Sequence, residues 1–275
     1  MSSTRCLPCR PVHLGPCGWL ALHAAALWPH GLWAARRLAD GSDDPLGLAA
    51  LVALLLWLAR AAPVLSVQPR LAWLATASAL TAAATATQLL APPLPAAMLA
   101  ALALSAHLVA WLPAGVARTP LAGLALLALP LVASLQFYVG YPLRVLTAQF
   151  SACLLGATGR AVERSGATLT VDGHLVIVDA PCSGVQMAWL GYFAACAVAA
   201  FAGLPGSAFL RRLPLVGAWV LAGNVLRNTL LVGLEARPQG LGNVWHEAIG
   251  IAVLALVIGL TVRTMSPQRP MGAAA

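Results

Sequence analysis

The sequence predicts an all-α polytopic integral membrane protein of about eight transmembrane helices, with a small extracytoplasmic insert made of an amphipathic helix and a β-hairpin. Three observations carry this prediction. Of the 275 residues, 60% are hydrophobic and 9% charged, whereas a soluble domain is about a quarter charged. The mean hydropathy is +0.85. Apolar windows recur at 18–34, 46–62, 71–90, 94–112, 120–139, 185–204, 213–233 and 246–264, each near the ~20 residues that cross a hydrocarbon core.

The first window is the weakest, because His23, Pro29 and His30 interrupt it. The breaks between windows carry turn and charge signals: Asp40 to Pro45, Ser66 to Arg70, Ala91-Pro92-Pro93, Arg118-Thr119-Pro120, Gly203 to Arg212, and Arg237 to Gly242. No internal sequence repeat accompanies this even spacing.

The net charge of +8 comes from sixteen arginines, with no lysine, against eight acids. In an apolar chain this excess reads as a topology signal. With a cytoplasmic N-terminus, nine arginines fall inside (Arg5, Arg10, Arg60, Arg70, Arg118, Arg211, Arg212, Arg263, Arg269) and six outside (Arg36, Arg37, Arg144, Arg160, Arg164, Arg237), with Arg227 inside a span. The bias follows the positive-inside rule, although Arg36 and Arg37 oppose it. No basic patch is interleaved with aromatics, so the lipid bilayer, and not nucleic acid, is the expected partner. Several tryptophans near span ends, among them Trp33, Trp73, Trp111 and Trp245, read as interfacial anchors.

Five stretches follow from these windows: a cytoplasmic tail at 1–17, N-terminal membrane helices at 18–139, an extracytoplasmic insert at 140–181, a three-helix region at 182–264 and a cytoplasmic tail at 265–275. Nothing in residues 1–17 reads as a cleavable secretory leader. Cys6, Cys9, His13 and Cys17 have spacings that zinc accepts, but with Pro8, Pro11 and Pro16 among them a reduced tail is the preferred reading. Neither a metal nor a cofactor is expected, since no phosphate loop, carboxylate pair or dinucleotide fingerprint occurs.

In the insert, Leu143, Leu146, Phe150, Leu154 and Leu155 recur at near-helical spacing between Pro142 and Arg164, which predicts an amphipathic helix along the interface. Two alternating runs then flank Asp172-Gly173, the signature of a two-residue hairpin. The hairpin leads into Pro181-Cys182 and is read as a cap over the outer face, with a plain connecting hairpin as the alternative.

Three chemically reactive side chains converge on that face. Cys182 stands at the mouth of the sixth span beside Ser183 and Gly184, where a helix N-terminus lowers a thiol pKa. It is read as a nucleophile, a packed hydrophobe or the disulfide partner of Cys153. Arg227 lies in the seventh span, ~9 Å below its outer end at 1.5 Å per residue. It shares a helix face with Asn224 and Asn228, which suggests a wet interior site, with snorkelling as the alternative. His246 lies at the mouth of the eighth span. Cysteine with histidine is the minimum pair for thiol acyl transfer, and an arginine can stabilise oxyanion charge.

The "APCSG" segment, the "NVLR" helix and the final-helix histidine, in that order over the last hundred residues, resemble the exosortase/archaeosortase family of membrane transpeptidase-like enzymes. The resemblance implies catalytic roles for Cys182, Arg227 and His246, with Asn224, Asn228, Ser183 and Gly184 as substrate-binding or supporting residues. It also implies a bacterial cytoplasmic-membrane enzyme whose active site faces outward. Its substrates would be membrane-anchored proteins with a C-terminal tail of a Pro-Glu-Pro motif, a transmembrane helix and a basic cluster. Two other classes stay open: a non-catalytic subunit of an export or polysaccharide-assembly system, and an anion transporter that uses the intramembrane arginine.

Overall fold

The computed structural model describes residues 15–66, 68–235 and 243–267. The N-terminal cysteine cluster, apart from Cys17, and most of the C-terminal tail lie outside the described residues, as does Arg237. The chain forms two compact units. One holds the described residues as far as Gly31 with Leu65–Leu112; the other holds Leu32–Val64 and the chain from Pro113 onward.

The first unit contains the start of α1 (Pro16–Ala39), α3 (Leu71–Leu90) and α4 (Pro93–Trp111). The Ala91-Pro92-Pro93 break separates α3 from α4 as the sequence predicts, and Pro93 opens α4 where its missing N–H costs nothing. Buried alanines along α4, with Ala77 and Ala84 on α3, let backbones approach closely, as small residues do between membrane helices. His107 is buried on α4, its ring 5.1 Å from that of His23 and 6.4 Å from Trp111. The Thr81 hydroxyl donates to the Ala77 carbonyl at 2.8 Å, so its oxygen accepts from His23 Nδ1 at 2.9 Å. Trp111 is itself buried, packed with Leu74 and Ala110, and does not serve as an interfacial anchor.

The second unit contains α2 (Leu46–Ala61), α5 (Thr119–Leu127), α6 (Val132–Ala157), strands β1 (Val162–Ser165), β2 (Thr168–Val171) and β3 (His174–Ile177), then α7 (Val185–Phe201), α8 (Gly206–Glu235) and α9 (Asn243–Met265).

The helical membrane architecture is as predicted, but the span count is lower than about eight. Among the described residues, four helices are long and apolar enough to cross a membrane: Leu46–Val64, Pro93–Trp111, Gly206–Glu235 and Val244–Met265. A fifth span exists if α5 and α6, bent by 96° at their junction, count as one. Each lost window has a local cause. The 18–34 window carries two histidines and a proline. Threonines at 76, 81, 85 and 87 dilute the 71–90 window. Pro130 breaks the 120–139 window, and α7 has 17 residues.

That break re-aims the insert. The helix expected to start at Pro142 starts at Val132 and contains Pro142. The Asp43 carboxylate caps it from a distant turn, accepting from Ala133 N at 3.1 Å and Asp44 N at 2.9 Å. Arg37 pairs with its other oxygen at 3.4 Å. Leu146, Phe150 and Leu154 point outward, while Thr147, Ala148, Ser151 and Leu155 are buried.

The hairpin is part of a three-stranded antiparallel sheet in the order β1-β2-β3. Asp172 (φ 51°) and Gly173 (φ 85°) form its predicted two-residue turn, with Val171 opposite His174; two positive φ values are what a type I′ turn requires. Arg160 donates to Asp172 at 2.7 Å and to the Gly233 carbonyl of α8 at 2.7 Å, which fastens the sheet to the helical body. That hydrogen bond holds the Asp172 carboxyl below the usual carboxylate range. Leu169 and Val171 face inward with Val178 and pack on Ala148, Leu155 and Val232; Cys182 lies against this cluster.

The Asp43 carboxylate is fully buried, so Asp43→Ala strands two backbone donors, Ala133 N and Asp44 N, and removes the Arg37 ion pair. We expect a loss of about 1–2 kcal/mol, read as a lower thermal midpoint by tryptophan fluorescence in detergent. Asp43→Asn keeps an acceptor and loses less.

Candidate active site

The thiol sits on a short turn between the sheet and α7. Residues Ala180–Cys182 form one 3-10 turn, in which Cys182 N donates to the Asp179 carbonyl at 2.9 Å and Ser183 N to the Ala180 carbonyl at 3.1 Å. Gly184 follows at φ 84°, in the left-handed region that glycine enters without a Cβ penalty. A Cβ there would stand 2.7 Å from Asn224 Cγ, so both conformation and space demand glycine. Helix α7 begins only after this residue.

Two asparagines hold the turn from α8. Asn224 and Asn228, one helical turn apart, each donate from Nδ2 to the Cys182 carbonyl at 3.2 Å. Asn224 also donates to Thr147 Oγ1 on α6 at 2.9 Å, and Asn228 to the Asn224 carbonyl at 2.9 Å. Both are 2% exposed, so these bonds form where an unmatched amide would be costly. A third amide grips the other flank: Gln136 Nε2 donates to the Ala180 carbonyl at 3.3 Å, and its Oε1 accepts from Ser183 Oγ at 2.8 Å. Ser183 Oγ in turn accepts from Val185 N at 3.3 Å and starts α7.

Asn224 and Asn228 therefore support the turn that carries the thiol. Ser183 and Gly184 shape the same turn, and Ser183 is buried. Gln136 and Thr147 complete the arrangement but do not stand out in the sequence. Thr147 with Ser151 is a small-polar pair one helical turn apart on α6, and Thr229 of α8 donates to Ser151 at 3.1 Å. Such pairs in an apolar helix mark helix–helix seams and are the signal that locates this one. Gln136 has no comparable sequence signal.

Arg227 and His246 meet in a cavity of ≈ 330 Å³ that also abuts Gly184. Arg227 lies between the two asparagines on α8, half-buried, and its guanidinium packs over Gly250 of α9, where a Cβ would stand 3.4 Å from Nε. His246 occupies the first turn of α9, half-buried, with Glu247 beside it in the same wall. Met187, Leu190, Ile251 and Leu254 form the apolar remainder. The three predicted side chains thus belong to one end of the second unit.

Cys182 and Cys153 are both free thiols, so the disulfide alternative is not realised. Cys196 is a buried packing residue on α7, set against Gly123. The thiol's electrostatics differ from the expectation of a helix-lowered pKa. Partial burial pushes the Cys182 thiol up, the Arg227 cation pulls it down, and the Asp179 carboxylate pushes it up, with a net rise. Gly184 separates the sulfur from the α7 N-terminus, and burial outweighs the arginine.

A helical membrane protein with a thiol-bearing turn, an arginine in an apolar helix and a histidine at a helix entrance, gathered at one end, is the class that fold and site define. A family model described as transmembrane exosortase matches residues 19–263, and the chain belongs to that family. The match extends over the N-terminal helices as well as the last hundred residues that carry the resemblance. No curated protein and no solved structure matches the chain.

Since Arg227 lowers the Cys182 pKa and Asp179 raises it, their removal acts in opposite directions. At a fixed near-neutral pH, iodoacetamide should alkylate Cys182 more slowly in Arg227→Ala than in the parent and faster in Asp179→Asn. Mass spectrometry of the Cys182 peptide against time reads both.

Proposed function

We propose that this exosortase is a cysteine transpeptidase or protease that releases the C-terminal sorting tail of membrane-anchored secreted proteins at the outer face of the bacterial cytoplasmic membrane. The observation that supports it best is the single cavity that joins Arg227 and His246 beside the turn of Cys182.

The chemistry follows from the site. Burial disfavours a standing thiolate, so the Cys182 proton must leave as the sulfur attacks, and His246 is the base at hand. The attack on the scissile peptide carbonyl gives a tetrahedral oxyanion. The amides of Cys182, Ser183 and Val185 already donate within the turn, and Arg227 supplies the charge that stabilises the oxyanion. His246 returns its proton to the leaving amine, and the acyl group stays on sulfur as a thioester until water or an acceptor takes it. The apolar part of the cavity suits the start of a tail helix entering from the bilayer. The proposed outward orientation rests on Arg211, Arg212 and Arg263, which lie at the opposite ends of α8 and α9 from His246 and read as the inner side.

The test is processing of a single-span reporter with a Pro-Glu-Pro motif, an apolar helix and an arginine cluster. Cys182→Ala and His246→Ala should insert normally yet release no tail. Arg227→Lys should lower kcat about a hundredfold, because a point charge does not replace a planar fork. A scaffold would tolerate Cys182→Ala, and an anion transporter would suffer more from Arg227→Ala than from Cys182→Ala. Either pattern rules out the reading.

A further inference from the structure

A second cavity, of ≈ 300 Å³, abuts the same turn. Ala180 and Ser183 line it, whereas Gly184 lines the Arg227 cavity, and Gln186 stands in the wall of both. Its far wall is the turn between α1 and α2, residues Gly41–Asp44, and its floor is the start of α6 at Val132, Ala133 and Gln136.

No basic side chain lines this space. Of its two carboxylates, Asp43 is consumed by the α6 cap and by Arg37. Asp44 is half-buried and accepts from Gln186 Nε2 at 2.9 Å. Among the described residues, the ion pairs are Arg37–Asp43 and Arg160–Asp172, and neither takes up Asp44. Gln136 and Ser183 are matched to one another. The cavity therefore offers a single carboxylate without a cation, beside the residues that flank the thiol.

In acyl transfer through a thioester the acceptor's nucleophilic atom enters where the leaving amine stood, beside His246, and the rest of the acceptor needs a binding wall of its own next to the turn. The Arg227–His246 cavity, with its apolar wall, suits the leaving tail. We propose that the Asp44 cavity is the acceptor subsite, and that it takes an acceptor carrying a positive charge in addition to its nucleophilic amine or hydroxyl. This rests on the thioester chemistry proposed above. For an amine, nitrogen bonds to the acyl carbon, the carbon–sulfur bond breaks, and the proton lost by nitrogen passes through His246 to the departing Cys182 sulfur, which restores the thiol. Asp44 exchanges no proton; it holds the acceptor's charged group against the turn.

The experiment needs no natural substrate. The full-length protein in detergent is acetylated on Cys182 with p-nitrophenyl acetate, with Cys182→Ala as background. Deacylation is then followed with two primary amines of equal chain length, one ending in trimethylammonium and the other in its uncharged tert-butyl isostere. The parent protein should prefer the cationic amine about fivefold, the range of a partly exposed ion pair, and the preference should shrink as salt rises. Asp44→Asn should abolish it and Asp44→Glu should retain it. Equal rates in the parent, or a preference that survives Asp44→Asn, overturn the acceptor site while leaving the thioester chemistry intact. A Cys182 that takes no acetyl group removes the underlying reading and the acceptor site with it.

Discussion

The site depends on one backbone carbonyl. The oxygen of Cys182 receives the side-chain amides of Asn224 and Asn228 from α8, and this pair of bonds decides where the sulfur stands. The two amides are spaced by one helical turn, so they approach the same oxygen from a rigid frame. Arg227 follows Asn224 by three residues and precedes Asn228 by one. The helix that grips the turn thus also sets the guanidinium beside it. Catalytic geometry is held best when its supports are themselves locked by packing and hydrogen bonds, and here both asparagines are buried and matched.

The other elements serve that grip. The α6–α8 seam of Thr147, Ser151, Asn224 and Thr229 keeps the gripping helix in register. The sheet closes over the sulfur's apolar side and is fastened to α8 by Arg160. Gln136 holds the opposite flank of the turn, and the cap that starts its helix is Asp43, from a turn nearly a hundred residues earlier in the chain. The same burial that orders the turn also raises the thiol pKa. A well-placed sulfur and a free-standing thiolate are competing demands, and this site favours placement.

The reading of the asparagines changed in kind between sequence and structure. As a stripe of Asn, Arg and Asn on one helix they suggested a wet pocket. In the fold the asparagines bind protein, and only the arginine faces the cavity with His246. Spacing along a helix reports which residues share a face, but it does not report whether that face meets water, substrate or another segment of chain. The Cys153–Cys182 disulfide was open for the same reason, since two thiols on one side of a membrane are compatible with pairing until their positions are known.

The sequence by itself determined the membrane-embedded helical class, the Asp-Gly hairpin and the Ala-Pro-Pro break between α3 and α4. Each rests on local composition or periodicity, which a linear reading sees directly. Tertiary structure alone decided the lower number of spans, the bend at Pro130, the distant cap from Asp43, the amide grip on Cys182 and the Asp44 cavity. Hydropathy windows measure how apolar a stretch is and not whether one straight helix occupies it. A hydrogen bond between residues 40 to 140 positions apart leaves no periodic trace, because the partners meet only after the helices have packed.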